Sequence, residues 1–273
     1  MAPVEQASFV RAFVRMAADS WEQGWHERNG GNLSYRIPHA ELEPLRGQLC
    51  PGPWQPAGIA VPGLAGESFL ITAAGSYFRN IADDVAGCAG IIELDEAGSR
   101  WRACWGFAGG GRPTSELPTH LMNHGVKKLA TGGAIRVIHH AHPANIVALT
   151  FVLPLDGATF TRELWGTISE CAMVFPEGVG VLGWDVPGSA QLAAASAELM
   201  ECVDAVVWAH HGLFCAGATF DAAFGLMHTI EKAASILVKV RSMAPEPRQA
   251  ITDENLRALA RAYDLSLALP LGQ

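Results

Sequence analysis

Residues 136–142 read RVIHHAH, three histidines within four positions of an otherwise apolar run. Imidazole nitrogen suits Zn2+ well, and an ion that keeps one coordination position open for chemistry needs about three protein ligands. Side chains alternate between the two faces of a strand, so His140 and His142 share a face with Ile138 while His139 points the other way with Val137 and Ala141. Two imidazoles at i and i+2 can reach one ion. The third ligand must come from elsewhere, and AVVWAHHG at 205–212 offers a source, with His210 and His211 on opposite faces of a strand and Gly212 allowing the backbone to turn close to the metal. A lone H-x-H pair is equally at home in a hydrogen-bonded core. A second strand with a histidine directly before a glycine tips the reading toward a metal.

Two carboxylates are candidates for proton transfer. Glu116 falls in the first turn of a helix, where the macrodipole already favours a negative charge; it would act as a general base if that helix start faces the metal. Glu170, beside Cys171 in apolar surroundings, reads either as a buried acid or as a strand-edge surface residue. RNGGN at 28–32 can bring backbone N–H groups close to an anion, with Asn29 and Asn32 adding amide donors, although a helix C-cap followed by a turn accounts for the same residues. GVGVLG at 178–183 has the spacing of a dinucleotide fingerprint, but WDVPG follows it and Pro187 prevents the helix such a site requires, so these are turn glycines.

The elements that would hold these residues follow from periodicity. Phe9, Phe13, Met16, Ala17 and Trp21 have helical spacing within 5–27, and the helix ends at the glycines of ERNGGN. LSYRI and SFLITAAG read as strands, 41–66 as a long Pro- and Gly-rich surface loop, and 89–107 as a hairpin about DEAG. A helix capped by Thr114 or Ser115 follows, with Pro118 in its first turn where a missing N–H costs nothing. AIRVIHHAH is expected as a strand, PANIVALTFVL as a helix, ECAMVF as a strand and SAQLAAASAELMECV as a helix. AVVWAHHGLFCAG is expected as a strand with an abrupt end, and 219–243 as a long helix. Strands and helices intermingle with no linker between two cores, which predicts one layered α/β domain spanning 1–273.

Bulk properties narrow the partners. The formal charge is -8 and Lys127–Lys128 is the one adjacent basic pair before the C-terminal segment, which argues against nucleic acid or an anionic membrane. Glu5, Arg11 and Arg15 interrupt the N-terminal apolar pattern as no signal peptide would, and the longest apolar stretch, IVALTFVLPL, is too short to span a bilayer; a cytoplasmic location is expected. The six cysteines lack a C-x-x-C pair and read as small buried hydrophobes.

Taken in order, WHERNGGNLSYRI, TAAGSYFRN, PTSELPTH, IHHAH, RELWGTISECAMVFPEGVGVLGWDVPG and HHGLFCAG followed by FGLMHTIEKAASILVKV resemble the class II aldolase family, zinc-dependent enzymes that act on sugar phosphates. The resemblance runs from about residue 20 to 243. It implies a three-layer α/β domain with a central, mainly antiparallel sheet and helices on both faces. It further implies one Zn2+ per subunit on His140, His142 and His211, and Glu116 as the acid/base residue beside the metal. Asn29, Gly31, Asn32, Gly75 and Ser115 would form the pocket for the phosphate and ketose end of a small phosphorylated ketose. Glu170 resembles a second carboxylate that the family presents from a neighbouring subunit, implying a homotetramer with sites at subunit interfaces. Sugar-phosphate epimerases and dehydratases share the same three-histidine site, so the fold leaves the reaction open among them. One position departs from the family pattern: Ala74 stands where a serine usually precedes the glycine of a T-x-S-G turn. The lost hydroxyl removes a phosphate donor worth about 1.5–3 kcal/mol, and Ser76 would replace it only if the turn were rearranged.

Overall fold

The computed structural model describes residues 3–244 and 246–269. Strands β1 (Asn32–Ile37), β2 (Gln55–Pro56), β3 (Ser68–Thr72), β4 (Ala89–Leu94), β5 (Arg100–Gly106), β6 (Val137–Ala141), β7 (Gly180–Leu182), β8 (Ala205–Trp208) and β9 (Gly212–Gly217) form one sheet in the order β2-β5-β4-β3-β1-β6-β9-β8-β7. Neighbours pair antiparallel except β7 with β8, which are parallel. The helices are α1 (Ser8–Glu22), α2 (His39–Leu42), α3 (Val85–Cys88), α4 (Leu117–Ala130), α5 (Ala144–Leu149), α6 (Gly157–Trp165), α7 (Glu170–Val174), α8 (Ala190–Met200), α9 (Phe220–Met243) and α10 (Asp253–Tyr263).

Strand alternation sends two sets of apolar side chains to opposite faces, and each set is covered by helices. On one face Leu33, Tyr35, Ile37 and Val137 pack with Phe9, Phe13 and Met16 of α1. Further along that face Ala141, Val207, Leu213 and Cys215 pack with Leu164 of α6 and Met227 and Ile230 of α9. On the other face Ile138, Val206, Trp208 and Phe214 meet Leu192 and Met200 of α8. Phe69, Ile71, Ile92 and Leu94 complete it against Leu117 and Leu121 of α4. The result is the three-layer, mainly antiparallel α/β domain expected.

Several local expectations are corrected. ECAMVF is not a strand: Glu170–Val174 is the short helix α7, and its buried Cys171 and Ala172 join the core that α9 lines, so packing overrides β propensity. AVVWAHHGLFCAG is two antiparallel strands, because His211 N–H donates to Trp208 O at 3.1 Å and closes a tight turn at Ala209–His211 between β8 and β9. Neither Thr114 nor Ser115 caps α4. The N-cap position is Glu116 itself, with no side-chain cap bond, while Thr114 N–H is tied to Thr72 O at 3.0 Å. The 41–66 segment contains the short strand β2, part of α2 and 3-10 turns. Helices α6 and α10 have no counterpart among the expected elements. Among the described residues no helix is long and apolar enough to cross a membrane.

Candidate active site

The centre of the sheet places the chemistry. In the register of β1 against β6, Asn32 pairs with His140 and Leu33 with His139, so Asn32 and His140 face the α4 side while His139 faces α1. Strand β6 ends at Ala141, yet His142 keeps the alternation for one more residue because its N–H donates to Trp25 O at 2.9 Å. The rings of His140 and His142 lie 5.0 Å apart. His211 reaches them from the β8–β9 turn, its ring centroid 4.9 Å from each. One ligating atom from each of these three histidines falls within 4.8 Å of the others.

The donor chemistry of the cluster fits a divalent cation. His140 Nδ1 donates to Leu213 O at 3.2 Å and His142 Nδ1 to Glu27 Oε1 at 2.7 Å, which leaves each Nε2 lone pair directed into the cluster. His142 Nε2 is buried without a hydrogen-bond partner among the described residues, so its lone pair is free to bind a cation in the cavity. Burial holds His140 well below the ordinary imidazole range, with His142 and His211 adding to the effect. Burial likewise lowers His211 to about 4, with His142 contributing. Neutral imidazoles at neutral pH are what a metal ligand set requires.

Glu116 opens toward the same point because it sits at the start of α4 with its side chain free of capping. Its Oε2 accepts from Asn32 Nδ2 at 2.7 Å and lies 3.7 Å from His140 Nε2. The residue is 6% exposed, and burial raises its pKa, opposed by the Asn32 hydrogen bond and by His142. A carboxylate pushed upward in this way is suited to take and return a proton near neutral pH.

A cavity of about 190 Å3 unites these groups. Asn29, Gly31, Asn32, Gly75, Ser115, Glu116, His140, His142 and His211, all singled out from the sequence, line it together with Gly30, Ala73, Ala74 and Thr114. Gly31 at φ +75° could not carry a side chain, since a Cβ there would meet His140 O at 2.6 Å as well as the His26 ring. Ser76 does not line the cavity, so its hydroxyl does not stand in for the one Ala74 lacks. Glu170 is exposed at the start of α7 and is also absent from this chain's own cavity.

The histidines outside the cluster have other partners. His139 Nε2 contacts His26 Nε2 at 3.2 Å on the opposite face, and His210, at φ 59°, turns toward Thr150 and Phe151. Glu27 carried no signal in the sequence: an acid before a glycine turn is unremarkable until that turn folds over His142.

The fold and this site define the class of protein. The model of the class II aldolase and adducin N-terminal domain family matches residues 11–238, and the chain belongs to that family. It is 41% identical over 267 residues to the rhamnulose-1-phosphate aldolase of Shigella sonnei (strain Ss046), covering 97% of each chain. The rhamnulose-1-phosphate aldolase of Escherichia coli O127:H6 (strain E2348/69 / EPEC) is similar to the same extent, 41% identical with 97% of each chain covered. Among solved structures, a sugar-phosphate aldolase from Thermotoga maritima superposes with a TM-score of 0.73 at 28% identity, covering 87% of this chain and 96% of that one. L-fuculose-1-phosphate aldolase from Thermus thermophilus shares the fold, with a TM-score of 0.57 at 21% identity over 87% of this chain and 96% of its own.

Proposed function

We propose that the protein is an aldehyde-lyase that reversibly cleaves L-rhamnulose 1-phosphate into dihydroxyacetone phosphate and L-lactaldehyde, with zinc on His140, His142 and His211. The observation that carries this reading is a buried carboxylate, Glu116, held 3.7 Å from the three-imidazole cluster on the wall of a small polar cavity. The names of the full-length relatives support the choice of substrate. A divalent cation in this cluster would act as a Lewis acid, lowering the cost of the negative charge that builds on the ketose oxygens as the carbon–carbon bond breaks.

The chain's own groups supply the remainder. Glu116 removes the proton from the carbon next to the carbonyl of dihydroxyacetone phosphate in the condensation direction and returns it in cleavage. The side-chain amides of Asn29 and Asn32, the hydroxyl of Ser115 and the backbone at Gly31 and Gly75 orient the phosphate and ketose end. The anion is thus bound by dipoles rather than by a lysine or arginine, which suits an acidic protein. With no serine at Ala74, the turn at Gly75 contributes backbone donors only.

Glu170 enters the reaction from another copy of the chain in a homotetramer. Its exposure away from its own cavity supports this, as do the exposed Val174 on the same helix and the exposed Trp184 and Val186. The protein is read as a single 1–273 domain, working in the cytoplasm in rhamnose catabolism. The test is a coupled assay of aldehyde release from L-rhamnulose and L-fuculose 1-phosphates, with and without chelator. Chelator-sensitive cleavage favouring rhamnulose 1-phosphate is expected. Epimerisation of a pentulose phosphate supplied in a parallel reaction, with no aldehyde released from either ketose 1-phosphate, would overturn the reading in favour of an epimerase.

A further inference from the structure

Behind Glu116 and Asn32 lie three buried polar side chains, Ser34, His120 and His124, that the proposed reaction leaves unused. Glu116, His120 and His124 are spaced by four residues on one face of α4, and Asn32 and Ser34 by two on one face of β1. Four helical residues rise about 6 Å and two strand residues about 6.6 Å, so the two series stay in step where the elements lie side by side. The hydrogen bonds interleave accordingly. Asn32 Nδ2 donates to Glu116 Oε2 at 2.7 Å, and Asn32 Oδ1 is hydrogen-bonded to His120 Nε2. Ser34 Oγ lies 2.6 Å from His120 Nδ1 and 2.8 Å from His124 Nε2.

The proton positions along this run follow from chemistry. A carbonyl oxygen can only accept, so His120 Nε2 carries the hydrogen that bonds to Asn32. Burial lowers His120 to about 3, so the ring is neutral and its Nδ1 is an acceptor. Ser34 must therefore donate its one hydroxyl hydrogen to His120 Nδ1, and its oxygen accepts from His124 Nε2–H. His124 Nδ1 is left buried with no hydrogen-bond partner among the described residues. Every bond from His124 to the carboxylate points the same way.

We propose that His120, held by Ser34 and His124, is a positioning residue for Glu116. It fixes which end of the Asn32 amide faces the carboxylate. Without the His120 donor only the Glu116 carboxylate distinguishes the two amide orientations of Asn32, and any population of the reversed one would set a carbonyl oxygen against Glu116 Oε2 at the place where the amide nitrogen now lies 2.7 Å away. The ring planes are set by apolar neighbours, His120 against Phe214 at 5.8 Å and His124 against Phe69 at 5.1 Å between centroids. The run also satisfies polar groups in a tightly packed core, which any structural network would do; the added claim is its direction and its endpoint on the reacting carboxylate.

This inference rests on the aldol reading for its kinetic consequence and on geometry alone for its spectroscopic one. Long-range 1H–15N correlation spectra of histidine-labelled, zinc-loaded protein should show His120 and His124 in the neutral Nε2–H form, without titration, throughout the range in which the protein is folded. A His120 ring protonated at Nδ1 overturns the proposal. In cleavage assays His120→Phe should lower kcat about tenfold or more with zinc content unchanged and KM changed less than about threefold, and His120→Gln, which keeps a donor, should recover most of the loss. Should His120→Phe not fold, Ser34→Ala decides: a mixture of His120 tautomers with kcat reduced about threefold or more supports the proposal, and wild-type kcat overturns it. Wild-type protein inactive on every ketose 1-phosphate, yet with both rings in the Nε2–H form, would overturn the aldol reading while supporting the directed chain.

Discussion

Gly212 offers the sharpest test of how the three histidines are held together. It follows His211 at the head of β9, and a Cβ built on it would collide with Ala141 O while lying 2.9 Å from His142 Cδ2 and 3.0 Å from His140 Cε1. Ordinary C···O contacts begin at about 3.3 Å, so Gly212→Ala forces β6 and the β8–β9 turn apart by on the order of 1 Å. The added methyl should cost about 1–3 kcal/mol of stability as overpacking. The larger consequence is local: displaced ligands and supporting groups typically weaken metal binding about 10–100-fold. Competition with a chromophoric chelator measures the affinity, and thermal unfolding of the metal-free protein measures the packing cost. Gly225→Ala on α9, where an added Cβ meets nothing within 4 Å, serves as a control and should gain about 0.5–1 kcal/mol from helix propensity. If Gly212→Ala bound zinc within about threefold of wild type with unchanged melting, the close approach of β6 and β9 would not be what sets the ligand geometry.

Further outcomes follow from the geometry of the site. Glu116→Gln should slow aldol cleavage by about 10²–10⁴-fold while zinc remains bound, since the carboxylate is not among the clustered ligands; steady-state kinetics paired with metal analysis reads both. Ala74→Ser should restore a phosphate donor and lower KM about tenfold, with truncated, non-phosphorylated ketoses unaffected. His139→Gln should retain zinc and His140→Gln should not, because His139 lies on the opposite face of the sheet against His26. Acid should destabilise the fold early. His26 and His120 are both lowered by burial from 6.5 to about 3. The native state therefore resists protons that the unfolded chain takes up, and stability falls as pH drops below about 6.5 toward 3. Two such groups give a slope of about 2.7 kcal/mol per pH unit, so two units of acidification remove about 5 kcal/mol, comparable to the whole stability of many domains. Urea midpoints of the metal-free protein across that window test it, and a flat profile would contradict the burial of these rings.

Much of the site is legible in the order of the residues. Period-two alternation separates His140 and His142 from His139, whereas the pairing of Asn32 with His140, which carries the RNGGN turn to the same point, is visible only in the folded sheet. Where local rules fail, tertiary contacts override them. ECAMVF has strand-like residues but lies as a helix because Cys171 and Ala172 fill the core beside α9. The AHH segment at 209–211 reads locally as strand, yet it is a tight turn, and only that turn swings His211 back over β6 while His210 faces Thr150.

The amino-acid sequence by itself determined the ligand types, their alternation, the layered α/β class and the family resemblance, since all of these rest on residue identity and short-range periodicity. Tertiary structure alone decided that Glu27 orients His142, that Glu116 leaves its capping role to face Asn32, and that α4 and β1 run in step so that His124, Ser34 and His120 line up behind the carboxylate. These contacts join residues about 85 to 115 positions apart, and such separations are set by how layers pack, which no local period encodes.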